Sequence, residues 1–182
     1  MEKAGSNWEN EIKKRSESKN FYSEGELIKI LKQLVNALLY FQNKGISHRN
    51  IKPKNILITE DNLYKISDLS KANLNFNEQH FTSIKESQLF MSTDENSINL
   101  NLFSNDIFSL GYCFLCAMSL DINLFENSLE ENIMDDVISL IKNYNQNKRF
   151  SKKFLDLIYK MMDIHENKRY NFFDLNNDIK NF

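Results

Sequence analysis

Apolar positions set out the elements of this chain before any motif is considered. Leu27, Ile30, Leu31, Leu34, Leu38 and Phe41 recur at three- and four-residue steps, and the stripe they form predicts a helix. Ser23-Glu-Gly-Glu26 supplies a start, since the Ser23 hydroxyl and the Glu26 carboxylate can satisfy each other's free amides, and Gly45 supplies a left-handed stop. Upstream, Trp8 to Lys19 is charged and predicts a short helix with Lys13, Lys14 and Arg15 on a solvated face. Beyond Gly45 the period changes. Residues 46–55 form a polar loop with the only proline, Pro53, and then Ile56–Thr59 and Leu63–Ile66 flank Glu60-Asp-Asn62, which predicts a small β-hairpin. Residues 69–103 keep no period and are rich in Ser, Asn and Thr, so a long irregular segment is expected, of the sort that tends to be functional or mobile. From Ser104 the pattern is helical to the end, over 104–120, about 128–144, 151–162 and 172–179.

Composition narrows the class. With 182 residues, 41% of them hydrophobic and 12% aromatic, the chain can bury a core and is not disordered. Its 23 basic and 25 acidic residues leave a charge of -2, so neither a nucleic-acid nor a membrane partner is expected. Gly5, Gly25, Gly45 and Gly111 stand too far apart for any glycine-rich phosphate loop. The first twenty residues lack the apolar core of a secretory signal, and the longest apolar run, Ile107 to Leu120, is shorter than the roughly 20 residues that span a bilayer. An intracellular, cytoplasmic location is expected. Cys113 and Cys116 read as core thiols on an apolar helix, and His80 and His165 as residues without a functional role.

The loop after the long helix reads His48-Arg-Asn-Ile-Lys-Pro-Lys-Asn55, and Asp68-Leu-Ser70 follows thirteen residues after Asn55. This resembles the protein-kinase catalytic loop, H-R-D-L-K-P-x-N, followed at the family's spacing by its D-F-G. Ser92-Thr-Asp94 looks like a degraded A-P-E, Ser104 to Gly111 is close to the S-D-I-W-S-L-G opening of the family's buried central helix, and Lys168-Arg169 stands where the family keeps a late arginine. The resemblance covers the chain from a hinge-like Met1–Gly5 to the last helix, and Lys52-Pro53 favours the Ser/Thr branch. It implies a mainly α fold, the helical C-terminal lobe of a kinase with a small hairpin beside the catalytic-type loop and the N-terminal lobe absent. Its parts would be a hinge and first helix (1–22), a long helix (23–45), the loop and hairpin (46–68), an activation-type segment (69–103) and a helical subdomain (104–182).

Roles then follow by resemblance. Asn55 and Asp68 would be vestigial Mg²⁺ ligands, Leu57 the floor of an adenine pocket, and Arg49 and Lys52 remnants of the catalytic loop. Asn50 occupies the place of the family's aspartate base, and a neutral carboxamide has almost no basicity near pH 7. Glu86 and Ser87 fall where the family has the Gly-Thr of its substrate-docking loop. His48, Leu69, Asp106 and the pair Asp94–Arg169 would be structural, with His48 beneath Leu69 and Asp106 accepting amides around His48 and Arg49. The implied function is a truncated pseudokinase that binds or scaffolds proteins without phosphotransfer. It would need no cofactor, with weak Mg-ATP binding as a remnant, and a protein partner would cover the face left by the missing lobe, around Met1-Glu2, Leu57, Ile66 and Leu69. The alternatives are a fragment of a longer protein Ser/Thr kinase, which would be an enzyme, and a structural subunit of a large intracellular assembly. Asn50 is expected to lie on an idle face.

Overall fold

The computed structural model describes residues 4–72, 102–124, 133–165 and 167–182. Six α-helices and one small antiparallel sheet make up the regular structure of these residues.

Helix α1 (Trp8–Glu17) begins at Asn7, whose side chain accepts from the Asn10 amide at 2.9 Å, and it buries Trp8 and Ile12, one turn apart on the same face. Helix α2 (Glu24–Asn43) is the long predicted helix. Ser23 and Glu26 close the capping box, and Leu27, Ile30, Leu31, Leu34, Val35 and Leu38 are buried. It stops as a Schellman motif around Gly45 at φ 69°: the Ile46 amide donates to Phe41 O and the Gly45 amide to Gln42 O, both at 2.9 Å.

The sheet has three strands where the pattern predicts two. β2 (Ile56–Thr59) and β3 (Tyr64–Ile66) form the hairpin, with Ile56 opposite Ile66 and Ile58 opposite Tyr64, so one face of the pair turns apolar side chains inward. Leu63, expected in the strand, lies in the turn, where its amide is held by the Thr59 hydroxyl at 3.1 Å. The added edge strand is β1 (Ala4–Asn7), antiparallel to β2 with Asn7 opposite Leu57. Ala-Gly-Ser-Asn has no strand propensity of its own. It is extended because β2 offers it a free edge, a tertiary effect that the hinge-like reading of residues 1–5 did not contain.

Helix α3 (Leu102–Ser119) is apolar almost all round and runs through the core, with every residue from Asp106 to Met118 buried. α4 (Ile133–Gln146) is described from Ile133, α5 (Lys152–Met161) starts from a Ser151 cap, and α6 (Phe172–Lys180) from an Asn171 cap. Helix α2 packs on α6, and α3 on α5. Gly111 permits the second contact, since a Cβ there would lie 2.8 Å from Met162 Sδ and 3.1 Å from Met161 Cβ. Trp8 joins α1 to the sheet and to α3: its ring meets Tyr64 and Phe114 edge-on at 5.7 and 5.1 Å, and Nε1 donates to the Tyr22 hydroxyl at 3.1 Å. Of the expected activation-type segment, 69–103, the described residues are 69–72, which include the short 3₁₀ turn Leu69–Lys71, and Leu102 and Phe103, which belong to the first turn of α3 and not to an irregular stretch; residues 73–101, with Glu86, Ser87 and Asp94, lie outside the described residues, as do Met1, Glu2 and His80. Among the described residues no helix is long and apolar enough to cross a membrane.

Candidate functional site

One buried carboxylate holds the loop between α2 and β2 from beneath. Asp106, in the second turn of α3, is 2% exposed. Its Oδ2 accepts from Ser47 Oγ at 2.9 Å and from the His48 amide at 2.7 Å, and its Oδ1 accepts from the Arg49 amide at 2.8 Å. Burial pushes this carboxyl's pKa up, while the three donors pull the other way. The Arg49 bond also fixes a backbone at φ 62°, a left-handed conformation that costs a non-glycine residue about 1 to 3 kcal/mol.

His48 is fully buried and stacked on Phe41, with ring centroids 6.4 Å apart. The Asn50 amide donates to His48 Nδ1 at 3.2 Å, so Nε2 carries the proton and donates to Ser67 O at 3.0 Å. The ring therefore ties the catalytic-type loop to the end of the hairpin. Leu69, which the resemblance sets above His48, is 51% exposed on its 3₁₀ turn.

Asn50, Asn55 and Asp68 come together. Asn50 is 7% exposed rather than on an open face, and its Nδ2 donates to Asp68 Oδ2 at 2.8 Å. Asn55 Nδ2 donates to Asn50 O at 2.9 Å and also approaches Asp68 Oδ2 at 3.4 Å. Asp68 sits in the left-handed region at φ 67°, and its Oδ1 accepts from Ser70 Oγ at 2.5 Å and from the Ser70 amide at 3.4 Å. The Ser70 hydroxyl, with the nearby Lys52 charge as a lesser contribution, holds the Asp68 carboxyl below its usual pKa. Lys52 anchors the loop through its carbonyl, which accepts from the Asn55 amide at 2.9 Å. Leu57, between buried Ile56 and Ile58, is only partly buried and lies on the opposite face of β2.

Arg169 is buried across from this loop on the far side of α3. Its Nε donates to Asp163 O at 2.7 Å, its Nη1 to Ser104 Oγ at 3.0 Å, and its guanidinium lies over the Phe108 ring. Residues with no role assigned from the sequence complete the site: Ser47 on Asp106, Ser67 on His48 and Asn55, and Ser70 on Asp68. Only Ser70 has a local signal, the Asp-x-Ser spacing of an Asx turn. Cys113 and Cys116 are buried, with burial pushing both thiols up, and among the described residues no cluster of His, Cys, Asp or Glu could hold a metal.

A helical body carrying a small sheet, with a His-Arg-Asn loop and Asp68 gathered at their junction, is a kinase-type arrangement. The family model for the protein kinase domain matches residues 5–178, and the chain belongs to that family. It is similar to the serine/threonine-protein kinase cds1 of Schizosaccharomyces pombe, 32% identical over 154 residues, which cover 77% of this chain and 32% of the relative. Human 3-phosphoinositide-dependent protein kinase 1 is 28% identical over 140 residues, 75% of this chain and 25% of that protein. A probable serine/threonine-protein kinase of Dictyostelium discoideum, fhkE, is 45% identical over 42 residues, 23% of this chain and 6% of that protein. The chain thus spans about a third or less of the length of these relatives.

The family implies Mg²⁺ between Asn55 and Asp68, and the donors at Asp68 do not fit that ion as a resident group. Such a cation requires oxygen lone pairs. Here Asp68 Oδ2 faces two carboxamide N–H donors and Oδ1 faces the Ser70 hydroxyl and amide. Asp68 is the one negative charge among the three residues, and its oxygens are already served by hydrogen donors.

Proposed function

We propose that this chain is a kinase-like domain that does not transfer phosphoryl groups and serves as a protein-binding or scaffold module. The observation that carries the proposal is Asn50. In the family's reaction the residue at this place accepts the proton of the substrate hydroxyl, a contribution worth about 10² to 10⁴ in rate. A carboxamide oxygen cannot take that proton at neutral pH, and the Asn50 carboxamide is engaged with Asp68 besides. A binding role draws support from Leu63 and Leu69, both about half exposed at the two ends of the hairpin, and from the partly buried Leu57 between them in the sheet. A protein partner that covers this side would remove apolar surface from water.

The test is incubation of the chain with labelled ATP, Mg²⁺ and a generic Ser/Thr substrate. No incorporation above a mock preparation is expected, from the chain itself or from its Asn50→Asp variant. Incorporation that disappears in Asp68→Ala would refute the proposal. A second reading is favoured by the coverage figures, since the matched relatives are three to four times longer than their matched segments: the chain would be the C-terminal lobe of a longer Ser/Thr kinase. Activity from a longer product of the same reading frame, lost on Asp68→Ala, would establish that reading instead.

A further inference from the structure

We infer that the Asn50 carboxamide takes the place of a divalent cation at Asp68, so that the arrangement of this site is complete without metal. The inference rests on the reading of this chain as a domain without phosphotransfer, and its test reads ion binding and stability, not activity.

Three observations converge. Asp68 is held at φ 67°, a left-handed conformation that an aspartate tolerates. The partner on Oδ2 is Asn50 Nδ2 at 2.8 Å, from a residue whose own position is set twice over, by its amide on His48 Nδ1 and by its carbonyl under Asn55 Nδ2 at 2.9 Å. Asn50 is also one of the buried polar side chains of the described residues, so its carboxamide is held from the protein side while Asp68 itself is exposed. Two carboxylates at positions 50 and 68, this close, would repel, a repulsion that a cation beside Asp68 would relieve. With a carboxamide at 50 the positive end of a fixed dipole performs that service. Asn50 is thus a positioning residue for Asp68 and, through the shared Asn55 amide, for the loop carrying both asparagines.

The experiment measures ion binding directly, with Mn²⁺ as the spectroscopic probe and Mg²⁺ as its competitor, alongside thermal midpoints in EDTA and in millimolar Mg²⁺. The unmodified chain should have the same midpoint in both conditions and no saturable Mn²⁺ site in the submillimolar range. Asn50→Asp should lose thermal stability in EDTA, regain it with Mg²⁺, and acquire a Mn²⁺ site that the further change Asp68→Ala removes. Asn50→Ala, a smaller perturbation that keeps the inference testable should Asn50→Asp fail to fold, should bind Mn²⁺ about tenfold more tightly than the unmodified chain, the order set by releasing one hydrogen bond to a charged group. A site of equal affinity in the unmodified chain and in Asn50→Ala overturns the inference. So does an Asn50→Asp variant that folds and whose midpoint is indifferent to EDTA.

Discussion

Asp106 shows how much one side chain can organise. Replacing it with alanine removes the acceptor of the Ser47 hydroxyl, of the buried His48 amide and of the partly buried Arg49 amide, and frees Arg49 to leave its left-handed conformation. Buried groups left unsatisfied cost about 1 to 3 kcal/mol each, so Asp106→Ala should lose about 3 kcal/mol or more, read as a shift in denaturant midpoint at unchanged slope. Asp106→Asn keeps one acceptor oxygen but turns an N–H toward one of the donors, and should lose about half as much. Asn50→Ala belongs lower on the same scale, at about 1 kcal/mol, because the Asp68 oxygen it abandons is on an exposed residue that water can reach. Equal losses for Asn50→Ala and Asp106→Ala would mean that the loop is held from above as firmly as from below.

Two elements carry predictions of their own. At the start of α2, burial tends to raise the Glu26 carboxyl, but the Ser23 amide and hydroxyl and the Arg15 guanidinium outweigh it and hold the pKa below the usual 4.5. A carboxyl whose folded pKa is depressed stabilises the fold above its unfolded pKa and loses that effect as pH falls through the folded value. Glu26→Gln can still close the capping box but gives up the charge. The variant should therefore be slightly less stable than the unmodified chain near neutral pH, and the difference should close below about pH 4; a constant difference from pH 7 to pH 3 would exclude the charge as its source. In α3, Gly111→Ala gains up to about 1 kcal/mol of helix propensity but forces Met161 and Met162 aside, and overpacking a filled core costs about 1 to 3 kcal/mol. A net loss of about 1 kcal/mol is expected. It should shrink in a Met162→Ala background, where the closest atom is gone, and a double-mutant cycle on thermal or denaturant midpoints reads the difference.

At the scale of the molecule, distant segments are tied by a few polar contacts laid over the core. The Glu24 carboxylate, at the start of α2, accepts from the Ser151 amide and hydroxyl at 2.5 and 2.7 Å and so joins two helix beginnings 127 residues apart in sequence. Glu11 accepts from the Tyr64 hydroxyl and from Arg15, which also reaches Glu26, so α1, β3 and α2 share one network. Trp8 is the single tryptophan and is fully buried where α1, the sheet and α3 meet. If these parts unfold as one unit, Trp fluorescence and far-UV circular dichroism should give coincident denaturant transitions. A fluorescence midpoint well below the helical one would mean that the sheet and α1 come away before the helical body.

What the sequence determined by itself was local. The stripe of α2, its capping box and glycine stop, the Asp-Asn turn of the hairpin and the all-round apolar α3 are legible because each depends on residues a few positions apart, and the spacing of the His48–Asn55 loop and Asp68 pointed to the kinase family on the same terms. Only the tertiary structure decided the rest. β1 is a strand because β2 lends it an edge, Leu63 leaves the strand for the turn, and Asn50 is buried with its N–H on an aspartate 18 residues away. The Asp106 bonds span 57 to 59 residues and the Glu24–Ser151 contact 127. Periodicity and propensity describe a segment's own preferences, whereas partners at such separations meet only once the core has placed their backbones, and that is where the state of this site is set.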